Sequence, residues 1–252
     1  MSVPPRYEVI GVEGLPEIGA GEDLARLIAH AAAAQRTPLA AGDLLVISQK
    51  IVSKAEGRIV RLAGITPSPE TIEMAEALGR DARLIEVILR ESRRVVRRDK
   101  GVLIVETHQG WICANAGVDQ SNVDADTACL LPEDSDRSAR ALRDGLRALT
   151  GHDLGIVIAD TFGRPWREGL TNVAIGVAGL EPLKSYLGEK DPAGHVLQAT
   201  ILALADELAS AAEPIMGKLD RIPVVIIRGL NWPRGESGSR PLLRDPARDL
   251  FR

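Results

Sequence analysis

Short apolar runs of strand length recur along this chain, separated by segments that have the periodicity of helices. The runs read YEVIGVEG, DLLVISQKIVSK, GIVIAD, NVAIGVAG and IPVVIIRGL. The continuous apolar character of DLLVISQKIVSK predicts a strand that is buried on both faces. The segment VLIVETHQGWICANAG predicts a hairpin whose turn is His108-Gln109-Gly110. Because strands and helices do not alternate strictly, the order favours an α+β fold with mixed sheets and flanking helices over a doubly wound parallel sheet.

Capping residues mark the ends of the predicted helices. Three helix starts are expected, at Asp23, at Ser68 followed by Pro69, and at Asp81. Gly151 is placed to end a helix whose apolar stripe is Ala139, Leu142, Leu146 and Leu149. An Ala- and Leu-rich segment predicts one long helix over about 195–212, and TFGRPWREG between two strands predicts a basic loop.

The composition excludes several classes of partner. A net charge of −4 gives no basic surface for a polyanion, and 3% aromatic residues cannot supply base-stacking platforms, so no nucleic-acid partner is expected. No apolar run approaches the roughly 20 residues that cross a bilayer. The N-terminal residues lack the layout of a signal peptide. Cys113 and Cys129 form no CxxC pair and suit a reducing compartment as two small buried residues. A cytoplasmic protein without a membrane partner is therefore expected.

Polar, charged and glycine residues follow several of the apolar runs directly. In SQKIVSKAEGR, two lysines and an arginine could neutralise a polyphosphate, although a solvated loop is the better explanation of KAEGR taken alone. In NAGVDQSN, small residues let backbone amides approach a ligand, and Asp119 offers oxygen ligands that suit magnesium or manganese. Asp and Asn also form turns, so this segment alone leaves both alternatives open.

The segment IVIADTFGRPWR, residues 156–167, carries the sharpest signal. Asp160 ends a hydrophobic run with the hydroxyl of Thr161 beside it, a layout often used to hold a metal that bridges nucleotide phosphates. Arg164 and Arg167 follow, where phosphate charge would lie. A structural aspartate would more typically cap a helix, but the glycine and proline that follow leave little helix to cap. A functional role is therefore favoured here.

Other signals are weak or absent. The segment MGKLD, residues 216–220, resembles a nucleotide-contact loop, but an ordinary helix-to-strand connection explains it equally well. The four histidines show no metal-ligand spacing. The sequence contains no GxxxxGK[ST], GxGxxG or GxSxG, so it offers neither of the common glycine-rich phosphate sites and no nucleophile elbow.

Taken together, these segments resemble the coenzyme F420-0:L-glutamate ligase (coenzyme F420 gamma-glutamyl ligase) family. The resemblance covers nearly the whole chain and rests on VEGLPEI, VSKAEGR, NAGVDQSN, ADTFGRPWR and IPVVIIRGL in that order. It implies a single catalytic unit over residues 1–252, with two intimately packed subdomains and an intertwined homodimer. Some relatives are fused to a C-terminal flavin-binding domain, which is not expected here.

The resemblance also implies a set of site residues. One group of implied GTP contacts is Leu15, Pro16, Glu17, Ile18, Gln49, Lys50, Lys54 and Asn122. A second group is the loop of Met216, Gly217, Lys218, Leu219, Asp220, Arg221 and Ile222. The implied metal ligands are Asp119, Asp160 and Thr161, and the implied catalytic set is Asp119, Asp160, Arg164 and Arg167. The ion is magnesium or manganese, with potassium as a further candidate.

One position departs from the family pattern. Some members carry an acidic metal ligand where this chain has Lys218, and a charged lysine donates hydrogen bonds but cannot bind a metal. Either Lys218 contacts a phosphate directly or another carboxylate, such as Asp220, takes the place of the missing ligand.

The implied reaction adds L-glutamate to the lactyl-phosphate carboxylate of coenzyme F420-0, and then further γ-linked glutamate. The γ-phosphoryl group of GTP would first convert the carboxylate into an acyl phosphate, which the glutamate amine attacks. Such a transfer needs mainly positioning and charge neutralisation, in keeping with the absence of a triad motif. Two alternatives stay open, a carboxylate–amine ligase acting on another acid and a non-catalytic GTP-binding module.

Overall fold

The computed structural model describes residues 4–99 and 101–249. The strands are β1 Glu8–Gly11, β2 Leu44–Ser48, β3 Ile59–Arg61, β4 Ser92–Asp99, β5 Val102–Thr107, β6 Ile112–Ala114, β7 Thr127–Cys129, β8 Gly155–Arg164, β9 Arg167–Ala178, β10 Lys184–Ser185, β11 Ile201–Leu202 and β12 Val224–Arg228. The α-helices are α1 Leu24–Ala34, α2 Gln49–Ala55, α3 Pro69–Leu78, α4 Ala82–Arg90, α5 Ser135–Thr150 and α6 Leu204–Met216.

The largest sheet has five strands in the order β1-β12-β2-β8-β9. Strands β2 and β8 run parallel, and the other neighbours are antiparallel. Three smaller sheets pair β4-β5-β6, β3-β7 and β10-β11. The prediction of mixed sheets with flanking helices is confirmed, while the two subdomains and the homodimer stay predictions.

Both faces of the five-stranded sheet are covered, which explains why its strands are apolar at successive positions. Ile156 and Ile158 of β8 point to the face that packs against α1 and α5, and Val157 and Ala159 point to the face that packs against α6. A third core lies outside this sheet, where α3 and α4 pack on β5 around Ile85, Ile88 and Leu103. The scarcity of aromatic residues leaves these cores to aliphatic side chains.

The predicted caps are confirmed. The side chains of Asp23, Ser68 and Asp81 each accept a hydrogen bond from a backbone N–H in the first turn of the helix that follows. Gly151 ends α5 with φ of 74°, a left-handed conformation that glycine adopts without steric cost. The hairpin turn at 108–110 is confirmed between β5 and β6.

Three sequence predictions about local structure are wrong. The run DLLVISQKIVSK is a strand only to Ser48, and its second half is helix α2, where Ser53 donates to Gln49 across one turn. The predicted helix over 195–212 begins only at Leu204 and continues to Met216. The preceding residues form β11, which pairs with β10. An apolar run alone does not distinguish a buried strand from a buried helix.

The basic loop TFGRPWREG is the third correction. Strands β8 and β9 continue as a hairpin, so that Arg164 lies opposite Arg167 in register and the turn is Pro165-Trp166. Asp160 therefore lies inside a ten-residue strand and does not end it. None of the helices within residues 4–99 and 101–249 combines the length and the apolar character that crossing a membrane requires.

Candidate active site

The parallel pairing of β2 and β8 places helix α2 beside Asp160. Ser48, the last residue of β2, pairs with Ala159 of β8, so α2 begins next to Asp160. Lys50 in the first turn of α2 interacts electrostatically with Asp160. The loop that follows β6 brings Asp119 to the same place, where its carboxylate also interacts with Asp160. Two aspartates that are 41 positions apart in the sequence thus share one lysine.

Asp119 is held by its backbone and by its side chain. Its N–H and C=O exchange hydrogen bonds with Cys129 at 3.0 and 2.8 Å. Its carboxylate accepts from Lys50 Nζ at 2.6 Å, and from the N–H and hydroxyl of Ser121, each at 2.7 Å. Partial burial alone would raise the pKa of Asp119, but these hydrogen bonds outweigh it and leave the pKa below its ordinary value. Asp119 is therefore a charged, fixed group.

Asp160 is in the opposite electrostatic situation. Withdrawal from solvent raises the pKa of Asp160 to about 6, and the charge of Asp119 acts in the same direction. The N–H of Thr161, Lys50 and Lys218 offset only part of this effect. The charge of Asp160 also helps burial to raise the pKa of the Cys113 thiol to about 12. A carboxylate that is disfavoured in its charged form is one that a bound cation would stabilise.

The two aspartates fit a magnesium or manganese ion that takes its remaining ligands from water and phosphate. Magnesium is usually bound through one or two carboxylates together with substrate phosphates. No group of three or more His, Cys, Asp or Glu side chains suited to hold a metal occurs in the described part of the chain. A site that nucleotide phosphates and water complete is compatible with Asp119 and Asp160.

Thr161 lies on the other face of β8 from Asp160, because side chains alternate along a strand. Its hydroxyl contacts Asn172 Oδ1 on β9 at 2.7 Å and Lys218 Nζ at 2.7 Å. Lys218 in turn pairs with Glu213 Oε1 of α6 at 2.8 Å. The predicted metal ligands are thus divided between two faces, with Asp119 and Asp160 together and the Thr161 side chain apart.

The predicted nucleotide residues of α2 and the first loop lie close together. Lys54 forms an ion pair with Glu17, which joins α2 to the segment 15–18. Ile18 is buried in the main core, and Gln49 is buried with its amide oxygen bound to Ser53. Asn122 is exposed, with φ of 55°, a left-handed conformation that asparagine tolerates.

The predicted loop after α6 connects that helix to β12. Met216 is buried, Leu219 is exposed, and Arg221 adopts φ of 57°. Gly217 has φ of 53° and ψ of −171°, a backbone conformation that residues with a Cβ rarely adopt, so this tight turn favours glycine. The Asp220 carboxylate is turned back against position 217.

The two predicted arginines lie at the exposed end of the β8–β9 hairpin. Arg164 donates to the backbone carbonyls of Glu168 and Gly169, and Arg167 is exposed opposite it. Asn172 and Glu213, which contact Thr161 and Lys218, were not among the residues predicted from the sequence. Asn172 is a lone polar residue at the start of the apolar run NVAIGVAG and is only 4% exposed, and this polar residue in a buried run was the available signal.

Comparison with known proteins identifies the family to which this chain belongs. A model of the F420-0:Gamma-glutamyl ligase family matches residues 14–229. The chain belongs to the F420-0:gamma-glutamyl ligase family. It is 48% identical to the coenzyme F420:L-glutamate ligase of Methanothermobacter thermautotrophicus over 247 residues. This alignment covers 97% of this chain and 98% of that protein.

Further relatives show the same near-complete coverage. The coenzyme F420:L-glutamate ligase of Methanopyrus kandleri is 48% identical over 237 residues, 92% of each chain. The enzyme of the same name from Methanocaldococcus jannaschii is 43% identical over 250 residues, 98% of this chain and 97% of its own. The resemblance noted from five sequence segments is therefore confirmed, and every predicted site residue lies within the part that the F420-0:gamma-glutamyl ligase family model matches.

Proposed function

We propose that this protein is a GTP-dependent ligase that joins L-glutamate to the lactyl-phosphate carboxylate of coenzyme F420-0 and then adds further γ-linked glutamate. Its membership of the F420-0:gamma-glutamyl ligase family, with relatives that match over nearly their full length, carries the proposal. The paired aspartates beside Lys50 support the dependence on a divalent cation, magnesium or manganese.

The proposed reaction proceeds in two steps. A carboxylate oxygen of coenzyme F420-0 attacks the γ-phosphorus of GTP, which breaks the bond to the bridging oxygen and releases GDP. The amine of glutamate then attacks the carbonyl carbon of the acyl phosphate, loses a proton and expels inorganic phosphate. A bound divalent cation would supply charge neutralisation at the phosphates.

The side chains of this protein would bind and orient the reactants. Asp119 and Asp160 would hold the cation, because they are the carboxylates that the fold brings together at the start of α2. Lys50 and Lys54, one turn apart on α2, would neutralise phosphate charge once the nucleotide competes with Asp119 and Glu17 for them. Such positioning accounts for catalysis without a protein nucleophile.

Mass spectrometry of the reaction mixture tests the proposal directly. Purified protein with GTP, magnesium or manganese, L-glutamate and coenzyme F420-0 should yield a product that is heavier by one glutamyl residue. A ladder at the same increment should follow, because each γ-carboxylate regenerates an acceptor. Omission of GTP is the control, and replacement of coenzyme F420-0 by other acids tests a ligase of different specificity. Tight GTP binding without any glutamylated product would contradict the proposed reaction.

A further inference from the structure

Four polar side chains on the α6 side of β8 form a closed ring of hydrogen bonds. Lys218 Nζ lies 2.7 Å from Thr161 Oγ1, and Thr161 Oγ1 lies 2.7 Å from Asn172 Oδ1. Asn172 Nδ2 lies 2.7 Å from Glu213 Oε2, and Glu213 Oε1 returns to Lys218 Nζ at 2.8 Å. Each of the four residues therefore contacts the next, and the ring joins β8, β9, α6 and the loop after α6.

The chemistry of the four groups fixes the direction of every hydrogen bond. An ammonium only donates and a carboxylate only accepts, so Lys218 donates to both Thr161 and Glu213. The hydroxyl of Thr161 then donates to the carbonyl oxygen of Asn172, whose amide NH₂ donates to Glu213. All four contacts are satisfied in one arrangement, and the ammonium of Lys218 keeps one N–H for a ligand.

The ring is buried at one end and exposed at the other. Asn172 is 4% exposed, whereas the side chain of Lys218 is 61% exposed. The tight turn at Gly217 brings Lys218 back over β8 directly after α6 ends. There the ammonium is near enough to Asp160 to interact with it electrostatically. The ring thus fixes an exposed lysine within electrostatic range of Asp160.

We propose that Glu213 and Asn172 are positioning residues that hold the ammonium of Lys218 ready to contact a phosphate of the nucleotide. This inference rests on the proposed function, because it takes the ligand to be GTP. A free lysine side chain loses rotamer entropy when it is fixed, and the ring has already ordered it before the ligand binds. The ring is electrically neutral overall, so its contribution is one directed N–H and not added positive charge.

Calorimetric binding of GTP and of guanosine, with magnesium present, tests the role of Glu213. Glu213→Ala should weaken GTP binding about three- to tenfold, the scale expected from partial loss of lysine ordering. Guanosine has no phosphate, so its affinity should not change. Glu213→Gln removes the same charge but keeps one oxygen that can accept from Lys218, so it should weaken GTP binding less than Glu213→Ala does. Glu207→Ala, at an exposed position in the first turn of α6, is the matched control and should change neither affinity.

A double-mutant cycle separates positioning from a general structural role. Lys218→Met should weaken GTP binding about tenfold, and adding Glu213→Ala to Lys218→Met should cause no further loss, because the residue to be positioned is gone. Thermal unfolding of each variant verifies that it is folded, and the partly exposed Glu213 tolerates change better than the buried Asn172.

Three results would overturn the inference. An unchanged ratio of GTP to guanosine affinity in Glu213→Ala would show that the ring does not act on phosphate. If Glu213→Ala weakens GTP binding equally when Lys218→Met is already present, Glu213 has a general structural role and does not act through Lys218. Wild-type protein that binds no GTP would remove the proposed function and this inference together, whereas the first two results would leave the proposed function intact.

Discussion

The two faces of β8 carry polar groups in contrasting states. On one face, Asp160 lies beside the charged Asp119, and its pKa is raised to about 6. On the other face, the adjacent Thr161 belongs to a ring in which each of the four side chains is hydrogen-bonded to the next. A satisfied network in a partly buried place fixes geometry, whereas an unfavourably placed charge is stabilised by a ligand. One strand thus separates a face whose paired carboxylates suit a cation from a face whose polar side chains are bonded to one another.

The largest expected effect is on the Asp160 face. Asp160→Asn should lower the turnover of coenzyme F420-0 at least about 100- to 1000-fold, the scale seen when a preorganised electrostatic group is removed from an active site. The measurement is the initial rate of glutamyl addition at saturating magnesium. Thermal unfolding in a chelator should show no loss of stability. Wild-type turnover by this variant would mean that the Asp160 face does not hold the metal.

A second prediction concerns the lysines next to that face. Lys54→Ala should weaken GTP binding by about 1.5–3 kcal/mol, the range of a hydrogen bond to a charged group. Calorimetry with magnesium present measures it, and Arg36→Ala, an exposed cation beyond the end of α1, is the control. Equal GTP affinity in the Lys54→Ala and wild-type proteins would show that Lys54 does not bind the nucleotide and serves only as the ion-pair partner of Glu17.

A third prediction follows from the pKa of Asp160 in the metal-free protein. The unfolded chain ionises this group near the ordinary value of 3.8, and the folded protein ionises it only at about 6. The unfolded state therefore loses its proton first, so the contribution of Asp160 to stability falls as pH rises from about 4 to about 6 and stays low above that.

In the Asp160→Asn variant the side chain at this position cannot ionise, so the variant should not lose this contribution to stability as the pH rises. The free energy of unfolding of the variant relative to the wild type should be unchanged near pH 4 and higher by about 1–2 kcal/mol at pH 8 after allowance for solvent screening. Urea unfolding in a chelator at a series of pH values measures the difference. A constant difference across the series would show that Asp160 is not electrostatically disfavoured.

The smallest effect is expected on the Thr161 face. Thr161→Val keeps the shape of the side chain but leaves Asn172 without a donor, which should cost about 1 kcal/mol of stability. Manganese affinity, followed by the electron paramagnetic resonance of the free ion, should stay within about twofold of the wild type, a change of under about 0.5 kcal/mol. A tenfold loss of manganese affinity would place the Thr161 side chain among the metal ligands and break the separation of the two faces.

Local chemistry made much of this fold predictable. The caps at Asp23, Ser68 and Asp81 depend on side chains that bind their own neighbouring backbone, so nearby residues suffice to identify them. The division of the run at Ser48 was not predictable in the same way. Apolar residues there are buried whether the backbone is extended or helical, and only the packing of α2 beneath the β8 strand decides between them.

The sequence by itself determined the family, the strand-borne aspartate Asp160 and the small-residue loop that carries Asp119. These features are short contiguous motifs, and the residue types within each motif indicate the chemistry that they can perform. Only the tertiary structure decided that Lys50 binds Asp119 within electrostatic range of Asp160, and that Thr161 is joined to Glu213 through Lys218. These contacts link residues distant in the chain across the parallel β2–β8 pairing and the packing of α6, and the spacing of residues along a sequence carries no record of such distances.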